Sequence, residues 1–458
     1  MLRLRSRAGA ALLLAVCLFC AALPAKAQAA RVRRPNLLLI VVDDLGYGDL
    51  SSYGARDIRT PHIDALMGAG ARLDRFYANS PVCSPTRAAL LSGRYPDLVG
   101  VPGVVRTDPN DTWGHLSPRA RLLPEVLRRA GYDTALVGKW HLGLAPPNLP
   151  RERGFATFRG FLGDMMDDYY THLRHRINYM RDGRREVKPE GHATDIFTGW
   201  AVEYLSARRR GGRPFFLYLA YNAPHVPVQP PAGWLERVTR REPAVSPQRA
   251  KLAAFIEHLD SAVGRVIAAL KAAGQYENTV IVFTSDNGGQ LNVGASSGPL
   301  RGGKEELYEG GIRVPLAVVW PGRIPAGTRP DRIALTMDVL PTFFEAAGVA
   351  LNLKIDGESF LPSLMGRAEP ARERTLFWMR REGGSFYHGR DYYAVRRGPW
   401  KLMQNHPYMP YRLFNLEEDP HEDRDVVKEH PEVVRELSLA LREHLRRAGR
   451  VPWQKGGE

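Results

Sequence analysis

Four short apolar runs recur along the chain, at residues 37–42, 134–137, 215–220 and 279–283. They are unbroken by polar alternation, as strands covered on both faces read. Between them the spacing becomes helical. Thr60 and Pro61 supply an N-cap and a first helical position, and Ile63, Leu66 and Met67 then share one face. Residues 122–130 predict a second helix, closed by Gly131. Residues 252–273 predict a third, with Phe255, Leu259, Val263, Val266 and Leu270 at helical spacing. Strands alternating with helices predict an α/β fold with a large, mostly parallel sheet flanked by helices. Beyond Gly366 the pattern changes to short strand-like segments at 375–379, 391–395 and 400–403, then a charged helix over 431–448. This predicts a small C-terminal antiparallel-sheet subdomain. The expected organisation is a leader at 1–27, a main domain at 28–366 and the subdomain at 367–458. Residues 164–185, irregular and rich in Asp, Tyr and Arg, read as a long surface loop.

The residues after each apolar run carry the candidate chemistry. The first run leads into Asp43-Asp44 and the second into Gly138-Lys139-Trp140-His141. The third leads to Asn222-Ala223-Pro224-His225, the fourth to Ser285-Asp286-Asn287-Gly288-Gly289. In open α/β sheets ligands bind at the carboxyl ends of the strands. One polar turn after a strand is ordinary, but four together point to one site. Asp43, Asp44, Asp286 and Asn287 offer hard oxygen ligands, which suit Ca²⁺ or Mg²⁺ better than zinc.

Charge and cysteine content add a compartment. Arg3, Arg5 and Arg7 precede an apolar stretch at about 8–23, and Ala25-Lys26-Ala27 offers a small-x-small cleavage pattern. The stretch is short for a membrane span of about 20 residues, and no later segment is long and apolar enough. The expectation is an exported protein, periplasmic or secreted, with no membrane span. The chain has 64 Lys and Arg against 49 Asp and Glu; without residues 1–27 the balance is 60 against 49, or +11. A positive surface attracts anionic substrates. No nucleic-acid-binding motif accompanies it, and runs such as Arg128-Arg129 and Arg208-Arg209-Arg210 read as solvated faces. Cys17 and Cys20 fall in the leader, so Cys83 is left with no internal disulfide partner. Pro85, read as the first helical position, would seat Cys83 at a helix N-terminus, where anions are favoured.

The run Cys83-Ser84-Pro85-Thr86-Arg87 followed by Ala88-Ala89-Leu90-Leu91-Ser92-Gly93-Arg94 resembles the type I sulfatase signature. Pro35-Asn36 to Asp49 resembles the opening of sulfatases, and Gly302-Gly303-Lys304 to Pro315 their Gly-Gly-Lys…Tyr-Glu-Gly-Gly block. The similarity runs from about residue 35 to Leu361 and is weaker afterwards. On these motifs the chain is identified as a member of the formylglycine-dependent, arylsulfatase-like sulfatases of the alkaline-phosphatase superfamily.

That resemblance implies an alkaline-phosphatase-like fold and hydrolysis of aryl or carbohydrate sulfate monoesters. It implies that a formylglycine-generating maturation enzyme oxidises Cys83. Asp43, Asp44, Asp286 and Asn287 match the calcium ligands, with residue 83 completing the shell and Mg²⁺ as the other candidate. The hydrated aldehyde presents two hydroxyls, and one attacks sulfur. Arg87 and Lys139 would stabilise the deprotonated oxygen and the sulfuryl charge. Lys304 and His225 match positions that bind sulfate and assist the departing alcohol. His141 matches the base that takes a proton from the second hydroxyl, so that sulfate is expelled. A further sulfate contact, often a serine, falls near residues 164–168, where this chain is acidic, and that role is not carried over.

Two other functions fit parts of the pattern. A phosphonate or phosphate-diester hydrolase of the same superfamily tends to show Asp-His where this chain has Asp286-Asn287. A non-catalytic sulfated-glycan-binding protein would show an incomplete site, whereas every motif residue except that serine is present here.

Overall fold

The computed structural model describes residues 33–107, 116–208, 212–367, 373–382 and 389–453. The leader with Cys17 and Cys20 lies outside them, as do Arg209 and Arg210.

Successive side chains of a strand point to opposite faces of its sheet. Phe215 meets Tyr204 of the helix Ala193–Ser206, ring centroids 6.0 Å apart. Its neighbour Phe216 meets Phe343 of the helix Val339–Ala347 at 6.1 Å. Helices therefore cover both faces, which is why the apolar runs are continuous. The strands of this sheet are β1 (Asn36–Val42), β2 (Ala71–Arg72), β3 (Asp133–Lys139), β4 (Thr157–Phe161) and β5 (Met180–Asp182). They continue with β6 (Arg185–Glu186), β7 (Phe215–Ala220), β8 (Thr279–Ser285) and β9 (Leu316–Val319). Among the described residues these nine strands pair in the order β2-β9-β8-β1-β7-β3-β4-β5-β6. The central run from β8 to β4 is parallel, and the outer strands are antiparallel. In register, Val42 lies beside Ser285, Val41 beside Ala220, and Ala220 beside Gly138. All four candidate loops thus leave the same edge of the sheet.

Gly138 shows how tight that edge is. Its φ is +104°, and a Cβ there would stand 1.9 Å from the Ala220 carbonyl oxygen. Only glycine lets β3 lie against β7 at that point.

Two local expectations change. The helix Cys83–Ser92 begins at the cysteine, with extended Val82 before it, so Pro85 is its third residue rather than its first. The first turn has N–H groups without intrahelical acceptors, and proline is tolerated there because it lacks one. Residues 164–185 are not a surface loop throughout. Leu173–Arg174 pairs with Ile177–Asn178, while β5 and β6 extend the main sheet. Met166, Tyr169 and Met180 are buried against the core, so the acidic and basic residues alternate with apolar anchors.

The C-terminal segments form a separate antiparallel sheet of Thr375–Arg381, Asp391–Arg397, Trp400–Gln404 and Arg412–Asn415, the last unforeseen in the sequence. The helix Pro431–Ala448 packs on it, with His444 stacked 4.4 Å from Phe377. Trp378 donates from Nε1 to the Ala78 carbonyl at 2.8 Å, joining this sheet to the body. The described residues from Pro35 onward form one compact body.

Candidate active site

Beyond β1 the chain turns at Asp44, whose φ of +67° is strained for a residue with a side chain. This aims its N–H at Asp286 Oδ1, 3.3 Å away. Its carboxylate accepts from Asn287 Nδ2 and Lys304 Nζ, each at 2.7 Å. Lys139 Nζ donates to Asp43 Oδ2. Arg87 donates from Nε and Nη2 to Asp286 Oδ2 at 3.0 and 2.7 Å, and its Nη2 lies 3.7 Å from Asp43. Three buried carboxylates thus face three cations contributed by the Cys83 helix, β3 and the Lys304 loop.

Two oxygens in this cluster have no donor. Asp43 Oδ1 and Asn287 Oδ1 are buried without a hydrogen-bond partner. Ligand atoms of Asp43, Cys83 and Asp286 lie within 4.8 Å of one another, as do those of Asp43, Asp44 and His225. Orphaned acceptors of hard oxygen type fit a divalent cation of the calcium or magnesium kind. The carboxyl titrations diverge. Burial raises Asp43, but Lys139, His225 and Arg87 together outweigh it and hold the group below its ordinary range. Asp286 is raised, by burial first and by the neighbouring Asp43 charge second.

Cys83 opens its helix and is buried. Burial pushes its thiol up to about 11 against the pull of Lys139. An unmodified thiol here is therefore a poor nucleophile at neutral pH.

The two histidines have assignable roles. His141 Nε2 lies 2.9 Å from the Val105 carbonyl, so that nitrogen must donate. Its Nδ1 is a buried lone pair with no partner. Burial, then Lys139 and Arg87, pulls this ring well below the ordinary histidine range, and it stays neutral. Val105 itself is tied to the Cys83 helix by its N–H to Ser84 Oγ at 3.0 Å. His225 Nδ1 lies 2.7 Å from the Val226 carbonyl and donates to it. Its Nε2 then accepts from Lys304 Nζ at 3.0 Å. Burial lowers Lys304, but Asp44, residue 83 and Asp43 together outweigh it, so the net shift is upward and the lysine carries the proton of this pair. His225 is lowered by burial and by Lys304.

All ten sequence-predicted residues therefore meet at one end of the sheet. Others came unannounced. Tyr218 stands in the apolar run of β7, yet its hydroxyl is 3.4 Å from Arg87 Nη1. Tyr169 donates to the carbonyls of Asn222 and His225 at 2.8 and 3.0 Å, holding the His225 loop. A tyrosine inside an apolar run is the only signal the sequence offered for Tyr218. Asp164 is buried and accepts from Thr107 Oγ1 at 2.6 Å and Arg174 Nε at 3.0 Å, which anchors this segment.

The chain matches known families along most of its length. The sulfatase family profile covers residues 35–349, and the N-sulphoglucosamine sulphohydrolase C-terminal profile covers 303–449. The chain belongs to the sulfatase family and is a hydrolase of sulfate esters. It is 34% identical to the N-acetylgalactosamine-6-sulfatase of Canis lupus familiaris over 389 residues, 80% of this chain and 71% of that one. It is 32% identical to arylsulfatase A of Bos taurus, over 89% of this chain and 86% of the relative. Among solved structures it resembles Ps i-CgsB, crystallised with k-i-k-neocarrahexaose. The TM-score is 0.82 at 33% identity, covering 91% of this chain and 93% of that one. A phosphonate monoester hydrolase of Agrobacterium radiobacter shares the fold at TM-score 0.68 and 23% identity, covering 90% and 96% of the chains.

Proposed function

We propose that this enzyme removes sulfate from sulfated carbohydrates, with Cys83 matured to formylglycine and a calcium or magnesium ion held by Asp43, Asp44, Asp286 and Asn287. The observation that carries the reading is the pair of orphaned oxygens, Asp43 Oδ1 and Asn287 Oδ1, beside a buried Cys83 and the free Nδ1 of His141. When present, the cation would neutralise the carboxylates and polarise the sulfate ester, and the aldehyde hydrate would supply the nucleophile. Arg87 and Lys139 orient Asp286 and Asp43, and their charge extends to residue 83. Lys304 holds a proton between Asp44 and His225, placed to accompany the leaving alcohol. His141 Nδ1 is a neutral ring nitrogen whose lone pair has no hydrogen-bond partner, suited to accept a proton from residue 83.

The sulfated-glycan class is supported by the likeness to Ps i-CgsB and to N-acetylgalactosamine-6-sulfatase. We assign the chemistry to residues 28–366 and the support of the Lys304 loop to 367–458, and we read residues 1–27 as an export leader. Among the described residues, no helix is long and apolar enough to cross a membrane. Two measurements test the reading together. Mass spectrometry of the peptide 76–87 from protein made with a maturation enzyme should show the aldehyde, and a panel of defined sulfated sugars should include at least one that is desulfated. Fully active protein carrying only the thiol would refute the role of Cys83.

A further inference from the structure

Three adjoining hollows lie beside β4, with volumes of about 470, 490 and 180 Å³, and Arg151 and Glu152 line all three. None of the residues in the carboxylate cluster lines them. One end is set by Leu162, whose carbonyl accepts the His141 N–H at 3.2 Å. The other end is set by Arg121 and Arg129, at either end of the helix Leu123–Arg129. Ala156, just before β4, and Gly183, bonded by its N–H to Phe158 at 2.7 Å, lie between.

The groove is rich in guanidinium groups. Arg121 pairs with Glu125 at 3.4 Å, and Arg184 pairs with Glu152. Arg128, Arg129 and Arg151 are exposed and take part in no ion pair among the described residues. Cations at 128 and 129 favour the C-terminal end of their helix dipole, which is reason enough for that pair alone. Arg151 has no such reason, since it lies in a turn after Pro150. Its Nη1 would stand 3.5 Å from a Cβ at Gly183, an ordinary contact distance, so the guanidinium lies against the turn of the β5–β6 hairpin. Pro146 and Leu149 add apolar lining in the third hollow, suited to the C–H faces of sugars.

We propose that this groove binds the polyanionic chain of a sulfated glycan while one of its sulfate esters is processed at the carboxylate cluster. The proposal rests on the carbohydrate-sulfate reading above. Guanidinium forks match sulfate and carboxylate oxygens in pairs, and several of them along an edge recognise a repeating anion rather than a single one. A nucleic acid would meet the same charges, but the groove ends one backbone hydrogen bond from His141, where a sulfate ester has a use and a phosphodiester has none.

The test is the double variant Arg128→Gln/Arg151→Gln, with chondroitin 6-sulfate as the polymer, 4-nitrocatechol sulfate as the small ester and a DNA duplex as the competing polyanion. Affinity for the polymer should fall about tenfold at low salt and become less salt-dependent, since two neutralising contacts are lost. KM for the polymer should rise with kcat unchanged. Turnover of 4-nitrocatechol sulfate and the melting temperature should match the parent, because both arginines are exposed and outside the site. Unchanged polymer affinity in the variant would overturn the proposal, as would duplex binding by the parent as tight as polymer binding. Loss of polymer affinity in the variant, with no sulfated carbohydrate desulfated by the parent, would support the groove and refute the carbohydrate-sulfate reading.

Discussion

Two of the buried charge clusters in this protein are built differently. At the carboxyl ends of the central strands, three carboxylates and three cations interlock, yet Asp43 Oδ1 and Asn287 Oδ1 remain without donors. At the seam between the body and the C-terminal sheet, Lys401 Nζ lies 3.0 Å from Glu309 and 2.8 Å from Glu422. Tyr77 donates to Glu309 at 2.7 Å, and Arg396 donates to the Tyr77 hydroxyl at 2.6 Å. Burial raises Glu309, but Lys401, Arg396 and Arg313 outweigh it and draw it down. Glu422 moves the other way, raised by burial and, after the opposing pull of Lys401, by Glu309. The seam pairs its charges within itself: even Glu422 Oε1, which has no hydrogen-bond partner, lies 2.8 Å from Lys401 Nζ. The strand-end cluster leaves acceptors open, which costs stability unless something fills them.

The largest separation between the two should come from residue 83. Cys83→Ala should lower kcat by about 10⁴-fold or more, the scale of losing a catalytic nucleophile, while the melting temperature stays near the parent. Measurable turnover in that variant would remove residue 83 from the chemistry. His141→Ala should cost less, about 10²–10⁴-fold in kcat, the range for a general base. A loss expressed only in KM would instead make this ring a binding group.

Stability distinguishes the clusters less sharply, and that is informative. Asp286→Ala strands the buried Arg87, and Lys401→Met strands Glu309 and Glu422. Each should destabilise by about 3–5 kcal/mol in urea unfolding, as breaking a buried pair does. Only the first should abolish turnover per folded molecule. If Lys401→Met were equally inactive while folded, the seam would belong to the site. Chelation should sort them further. Calcium at about 100 times its Kd should stabilise the parent and Lys401→Met by about 2.7 kcal/mol and leave Asp286→Ala unmoved. Equal stabilisation of all three would place the ion elsewhere.

The smallest effect belongs to a buried polar group outside both clusters. His192, stacked on Tyr169 with centroids 5.2 Å apart, is drawn down to about 4 from 6.5 by burial and by His258, with the Gln229 carbonyl opposing. Folding favours its neutral ring, so its contribution is complete above about pH 6.5 and is lost as pH falls toward 4. Melting temperatures between pH 7 and pH 4 should therefore slope less steeply in His192→Gln than in the parent. An identical slope would mean that the acid sensitivity arises in the carboxylate clusters instead.

Much of the site was legible before any fold was known. Strand-end residues announce themselves because a buried strand must be apolar throughout and its exit need not be, so Asp43, Lys139, His225 and Asp286 stood out. Lys304 came from a motif resemblance, not from periodicity. Tyr218 was illegible because an apolar run gives no reason to treat one hydroxyl as directed. Residues 164–185 were misread for a related reason. Their polar content dominates any local window, whereas Met166, Tyr169 and Met180 find their burial only against distant elements. The same holds for Arg151, which gains its meaning from Arg128 and Gly183, neighbours only in space.

The sequence by itself determined the strand and helix alternation, the polar residues at the carboxyl ends of the strands and the seat of Cys83 at a helix N-terminus, because these depend on period and on residues a few positions apart. Tertiary structure alone decided the rest: which cation faces which carboxylate, which nitrogen of His141 is free, and which buried charges close on themselves. Those are outcomes of distances between segments far apart in the chain, 260 residues for Lys304 and Asp44, and hydrogen-bond partnership decays over a few tenths of an ångström. Pattern fixes what a segment becomes, and only packing fixes what its side chains meet.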